Sequence, residues 1–238
     1  MKVVKLIGLL SLAAFSLVPV FAQEAVIRKN LSEKFPAFAK IDEISKTPMN
    51  GLYEVRVGFN LFYTDEQGNY LLEGQLLEVK TRKNLTEERV DKLSAVAFEK
   101  LPLADAVKIV RGDGKRKLAV FEDPNCGYCK RFEQDLTSVD NVTVYLFLYP
   151  VLGADSILKS RNIWCARDKA KSWNDWMLRN TTPAAAECDI AAIKRNRDFG
   201  QKYNITGTPT LIFADGSRAP GAVSAQEVEK MLSSAKAP

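Results

Sequence analysis

Between Gly51 and Val79 the chain alternates. Tyr53, Val55 and Val57 are separated by charged residues, the pattern of a strand with one buried face. Leu61-Phe62-Tyr63 leads into Asp65-Glu66-Gln67-Gly68-Asn69, a turn signal, and Tyr70–Leu72 and Gln75–Val79 are expected as further strands. The period then changes. Asn84 and Thr86 offer helix caps, Glu87 and Glu88 fall in the first turn, and Val90, Leu93 and Ala97 share one helical face. Leu101-Pro102 is expected to end that helix.

Past Val107 the apolar runs become continuous. Leu118–Phe121 reads as a buried strand, Lys130–Ser138 as a helix with Phe132 and Leu136 on the face of Cys129, and Val142–Tyr149 as a second buried strand. Strand, helix and strand of these lengths predict a parallel pair joined by a right-handed crossover. Ala154–Phe199 is helix-rich. Thr210–Phe213 is a further strand, Asp215-Gly216 a turn, and Arg218–Ala222 its hairpin partner. Ser224-Ala225-Gln226-Glu227 is a capping box that opens a last helix running through Met231.

The N-terminus stands apart from this pattern. Lys2 and Lys5 precede an almost wholly apolar run from Leu6 to Val18, and Val20-Phe21-Ala22 is a small-x-small cleavage site. This predicts a secretory signal peptide over residues 1–22, with export from the cytoplasm. Taken from Leu6 to Ala22, the run is short for a membrane span and contains Pro19. Outside the cytoplasm disulfides form and persist, which changes how each cysteine is read. The segment 23–82 holds about 60 residues, too few for a robust core alone. A second copy pairing with it would cover its edges, so a dimer interface is expected there.

Composition narrows the chemistry. The chain has 238 residues, 46% of them apolar, and a net charge of +5. Its basic residues are scattered and no basic run is interleaved with aromatics, so nucleic-acid binding is not expected. Histidine is absent, which removes Ser–His and Cys–His nucleophile pairs and a histidine base. Four cysteines remain, two of them in Cys126-Gly127-Tyr128-Cys129. Haem attachment needs histidine after the second cysteine, where this chain has Lys130, and zinc would need all four cysteines without a second Cys-x-x-Cys. No metal and no cofactor are therefore expected. Cys126 falls at a predicted helix N-terminus, where unpaired N–H groups and the helix dipole favour a thiolate, the species that attacks disulfides. Its sulfur is expected to be partly exposed. Glu122 and Asp123 lie beside the motif. A buried carboxylate there would take a proton from Cys129, whereas an acid at a strand end is commonly solvated or a cap.

The stretches Phe121-Glu122-Asp123-Pro124-Asn125-Cys126-Gly127-Tyr128-Cys129, Trp164-Cys165-Ala166 and Thr206-Gly207-Thr208-Pro209-Thr210, with the turn around Gly68, carry a family resemblance. The C-terminal part is similar to a thioredoxin-fold domain. The whole mature chain resembles the periplasmic disulfide isomerases of DsbC type and the related DsbG proteins. The resemblance implies an α+β and α/β chain with a signal peptide at 1–22 and a small β-rich, cystatin-like dimerisation domain at 23–82. A helical linker at 83–106 and a thioredoxin-like catalytic domain with a helical insertion at 107–238 complete it.

It further implies a V-shaped homodimer, clients that are unfolded or misoxidised disulfide-containing proteins, and a membrane reductase of DsbD type that keeps Cys126 reduced. Cys126 is then the nucleophile and Cys129 the resolving thiol. Gly127 and Tyr128 tune the pair, Pro209 is cis, and the Thr208 backbone meets the substrate. Four cysteines allow three pairings. With Cys126–Cys129 left to cycle, Cys165 and Cys188 are expected as a structural bridge, worth about 3.4 kcal/mol for a loop of about 24 residues. A second redox pair is the alternative. Trp164, Trp173 and Trp176 are expected in the core of the insertion. The activity implied is reshuffling of wrong disulfides in secreted proteins. A DsbG-like reductase protecting single cysteines, a DsbA-type oxidase and a chaperone with secondary thiol activity are the rivals.

Overall fold

The computed structural model describes residues 20–235. The expected signal segment therefore lies outside the described residues up to position 19. The chain divides into two compact units, one ending at Leu77 and the other beginning at Glu78.

The first unit starts with helix α1 (Val20–Lys34) and a 3-10 turn at Pro36–Phe38. Four antiparallel strands follow in sequential order: β1 (Glu43–Lys46), β2 (Leu52–Val57), β3 (Asn60–Asp65) and β4 (Leu71–Leu72). Alternation on β2 buries Tyr53 and Val55, which close a small core with Ile27, Leu31, Phe38 and Ile41. Ile27 and Leu31 stand one helical turn apart and so face the sheet together. The turn after β3 is organised by Asp65, whose carboxylate accepts the N–H groups of Gln67, Asn69 and Tyr70. Gly68 sits in that turn at φ +69°, against the backbone of Ile27. Neither α1 nor β1 was expected from the pattern.

The strand expected over Gln75–Val79 is reduced to β5 (Leu77–Glu78), which forms a two-stranded ribbon with β6 (Lys83–Asn84). Leu77 and Val79 are exposed there and supply no buried face. Helix α2 (Leu85–Ser94) is capped by Asn84, whose side chain accepts the Glu87 N–H at 3.1 Å. It stops at Ser94 rather than running to Leu101, which corrects the expected continuous helix. Val96, Phe98 and Leu101 instead join a core cluster with Phe121, Phe147 and Ile212. The Val96 N–H bonds to the Gly216 carbonyl at 3.2 Å. Packing of this strap outweighs the helical period of its sequence.

The rest of the second unit is a five-stranded sheet in the order β11-β10-β8-β9-β7. Its elements are β7 (Val107–Arg111), β8 (Arg116–Glu122), α3 (Gly127–Leu136), β9 (Val142–Leu148), α4 (Ala154–Trp164), α5 (Lys169–Arg179), α6 (Ala191–Lys202), β10 (Thr210–Phe213), β11 (Arg218–Pro220) and α7 (Ala225–Ser234). β8 and β9 are parallel across α3, and the other pairs are antiparallel. The two-residue period of β8 divides its side chains between the faces. Leu118 and Val120 pack with α3, α5 and α7, whereas Ala119 and Phe121 pack on the opposite side with Tyr149 and Ile205. Glu122 continues the first series. An acidic residue is thereby placed on the face that receives α3.

Candidate active site

The turn Asp123-Pro124-Asn125 brings β8 into α3, and Cys126 is the N-cap of that helix. The Cys126 Sγ accepts the Cys129 N–H at 3.4 Å, one of the donors a helix start leaves unpaired. Its thiol donates to the Thr208 carbonyl at 3.3 Å. The Thr208–Pro209 bond is cis, and Pro209 is buried. Cys126 is only 6% exposed, so the expected partly exposed sulfur is corrected: the Thr208 segment lies over the helix start. Gly127 has open space where a side chain would stand, and Tyr128 is 66% exposed. The structure thus brings Cys126, Cys129 and Thr208 together, with Gly127 and Tyr128 turned to the surface.

Cys129 is fully buried on the inner face of α3 with Phe132, Glu133 and Leu136. Burial first, then the charge of Glu122, pushes its thiol well above the ordinary range. A thiol is a poor nucleophile, so Cys129 needs a proton acceptor before it can attack a disulfide.

The two acids beside the motif have different tasks. Asp123 is buried and accepts four bonds: from the N–H groups of Asn125 (2.8 Å), Val151 (2.7 Å) and Leu152 (2.9 Å), and from the Ser156 hydroxyl (2.7 Å). It ties the β8–α3 turn to the β9–α4 turn. Glu122 is also wholly buried, but neither of its oxygens has a hydrogen-bond partner. The Cys129 thiol and the Glu133 carboxylate both face it. Burial, and after it the charge of Glu133, raise the Glu122 carboxyl well above the usual carboxylate range. Neither acid is solvated.

Glu133 was missed from sequence because an acid in a helix is usually a solvated residue. Its spacing held the signal: four residues after Cys129, it shares that residue's inner face. Its Oε1 accepts the Trp173 indole N–H at 2.8 Å and its Oε2 stands 3.6 Å from the Arg111 guanidinium.

Cys165 and Cys188 form a disulfide that joins the end of α4 to the segment preceding α6, with an S–S distance of 2.07 Å. Trp173 is fully buried, and the Trp176 indole donates to the Pro124 carbonyl at 2.5 Å beneath the Lys130 and Lys159 ammonium groups. Trp164 is half-buried and donates to the Asp189 carbonyl at 3.1 Å.

A thioredoxin-like sheet with a dithiol at the start of its first crossover helix defines a thiol–disulfide exchange protein. Residues 103–236 match the thioredoxin-like domain family, and residues 18–87 match the disulfide bond isomerase protein N-terminal domain. The probable thiol:disulfide interchange protein DsbC of Bordetella pertussis is 46% identical over 210 residues, spanning 88% of this chain and 74% of that protein. The thiol:disulfide interchange protein DsbC of Escherichia coli is 27% identical over 230 residues, spanning 93% and 92%. A crystal structure of a disulfide interchange protein from Neisseria gonorrhoeae superposes with a TM-score of 0.55 at 35% identity, over 58% of this chain and 100% of that one. The chain belongs to the DsbC family of thiol:disulfide interchange proteins.

Proposed function

We propose that this protein is a periplasmic disulfide isomerase and reductase in which Cys126 attacks a wrong disulfide in a secreted client. The observation that carries the reading is the Cys126 sulfur itself: it receives a helix N-terminal N–H and lies beside the Thr208 carbonyl at the mouth of the site. A mixed disulfide with the client forms. The client's freed thiol then attacks elsewhere in the client and releases Cys126 reduced. Alternatively, Cys129 attacks the Cys126 sulfur and releases a reduced client. In that step Glu122 takes the Cys129 proton. Thr208 and Pro209 line the path of the client strand, Gly127 and Tyr128 form its floor, and the Cys165–Cys188 bridge holds the helical insertion.

The functional unit is a homodimer joined through the N-terminal domain. The match to the isomerase N-terminal domain supports this, as does β4, a short edge strand that carries the exposed Leu72 and follows the exposed Tyr70. We assign 1–22 to a cleaved signal peptide, 23–82 to dimerisation, 83–106 to the linker and 107–238 to catalysis. Clients are unfolded or misoxidised proteins, and a membrane reductase of DsbD type returns the pair to its dithiol form.

The test is recovery of activity from a scrambled multi-disulfide enzyme in mildly reducing buffer, with wild type and Cys126→Ser in parallel. Recovery with wild type and none with the variant is expected. Equal recovery from both would remove Cys126 from the reaction.

A further inference from the structure

Two carboxylates lie side by side in the interior of the second unit, and the mechanism above uses only one. Glu122 at the end of β8 is faced by Cys126, the N-cap of α3, and by Cys129 and Glu133 from that helix. Glu133 is faced in addition by Arg111 from β7 and the Trp173 indole from α5. Both acids have no solvent exposure. Adjacent buried carboxylates cannot both be charged at low cost, so the pair retains one proton. The surrounding donors decide where it resides. Glu133 accepts the Trp173 indole N–H on Oε1, and the Arg111 guanidinium stands 3.6 Å from its Oε2 as an ion pair without a hydrogen bond. Glu122 makes no well-formed hydrogen bond on either oxygen and has only the Cys129 thiol, a weak donor, turned towards it. The proton therefore sits on Glu122, whose carboxyl is raised by burial and then by the charge of Glu133.

We propose that Glu133 is a positioning residue that holds the proton on Glu122 and so delays the release of a client by Cys129. This rests on the reading of Glu122 as the proton acceptor. When Cys129 resolves a mixed disulfide, its S–H proton passes to the Glu122 carboxylate and its sulfur bonds to the Cys126 sulfur. The bond between Cys126 and the client sulfur breaks, and the client leaves as a thiolate. The client cysteine is reduced and the Cys126–Cys129 pair is oxidised. While Glu122 already carries a proton it cannot accept another, and the mixed disulfide waits. That delay gives the client's own thiol time to attack, which is isomerisation. A free base at Glu122 would shorten the delay and favour reduction.

The experiment separates the two sulfurs in time. Reduced full-length protein is mixed with an aromatic disulfide whose thiolate absorbs. Attack by Cys126 releases the first thiolate and attack by Cys129 releases the second. For Glu133→Gln the first release should stay within about twofold of wild type. The pH midpoint of the second release should move down by about one pH unit or more. Its rate at pH 7 should rise by up to about tenfold for every pH unit by which that midpoint falls. An unchanged midpoint, or a slower second release, would overturn the proposal. Glu122→Gln reports on the underlying reading: if its second release keeps the wild-type rate and profile, Glu122 is not the acceptor. A measurement on wild type needs no variant to fold. Its infrared spectrum at pH 7 should contain the carbonyl stretch of a buried protonated carboxyl, lost in Glu122→Gln. If that band is missing from wild type, the pair does not hold its proton and the proposal fails.

Discussion

Replacing Cys165 and Cys188 together by serine asks what the second cysteine pair does. The bridged residues are 23 apart. For a loop of that size the chain-entropy relation gives about 3.4 kcal/mol at 25 °C, with the effect residing in the freedom of the unfolded chain. The folded chain loses little, because the contents of the loop are anchored independently. Trp173 and Met177 lie in the core, and the Trp176 indole is bonded to Pro124. The three tryptophans of the chain, at positions 164, 173 and 176, all lie in or beside this loop. Intrinsic fluorescence during urea unfolding therefore reports on this segment without interference from the N-terminal unit. The double variant should lose about 2–4 kcal/mol, with a lower midpoint and a somewhat larger m-value because its unfolded chain is less restricted. Its initial rate of disulfide exchange should remain within about twofold of wild type when it is assayed well below the unfolding transition. A loss below about 1 kcal/mol at constant m would refute the entropic reasoning. Complete loss of exchange in a variant that is still folded would make the pair part of the chemistry.

Two further outcomes follow from buried contacts. A Cβ at Gly200 would fall 2.3 Å from the Tyr149 ring, so Gly200→Ala should destabilise the second unit by about 1–3 kcal/mol and break the bond from the Tyr149 hydroxyl to the Ile205 carbonyl; a melting temperature equal to wild type would show that the ring moves away freely. Folded Glu122 keeps its proton above the range where the unfolded side chain, near 4.5, has lost it. The native state then binds more protons than the unfolded one and wild-type stability falls as pH rises through that window. Glu122→Gln removes this loss, so its stability advantage should be near zero at pH 4 and grow towards pH 8, by up to about 1.4 kcal/mol per pH unit. A gap that does not change with pH would contradict the assignment.

Much of the catalytic half was legible because its strands are buried on both sides. Such strands write continuous apolar runs, as in Leu118–Phe121 and Val142–Leu148, and a capping cysteine or serine marks the helix that follows. The N-terminal helix was harder to read. Between Ala22 and Lys34 only Ile27 and Leu31 reach the core, too few to make a periodic stripe. The end of α2 was misread for the opposite reason. Val90, Leu93, Ala97 and Leu101 keep a helical spacing, yet the last part of that series is drawn onto the sheet. At the site, the dithiol and the Thr208-Pro209 segment announce themselves by residue type. The acids do not: Glu122, Asp123 and Glu133 look like solvent-facing residues; the two-residue period of β8 reveals Glu122 and the inner face of α3 reveals Glu133, while Asp123 sits in the turn between them, where no period speaks.

The clamp at Asp123 bears on how transferable this chemistry is. Val151 and Leu152 are exposed apolar residues, and their N–H groups hang on the same carboxylate that orders the turn before Cys126. The turn before Cys126 and this greasy rim are therefore built as a single casting. A Cys-x-x-Cys motif grafted onto another thioredoxin scaffold would carry the sulfur chemistry but leave that rim unaligned. Moving that arrangement intact requires Asp123, Asn125, the Val151-Leu152 turn and Ser156 to travel with the two cysteines.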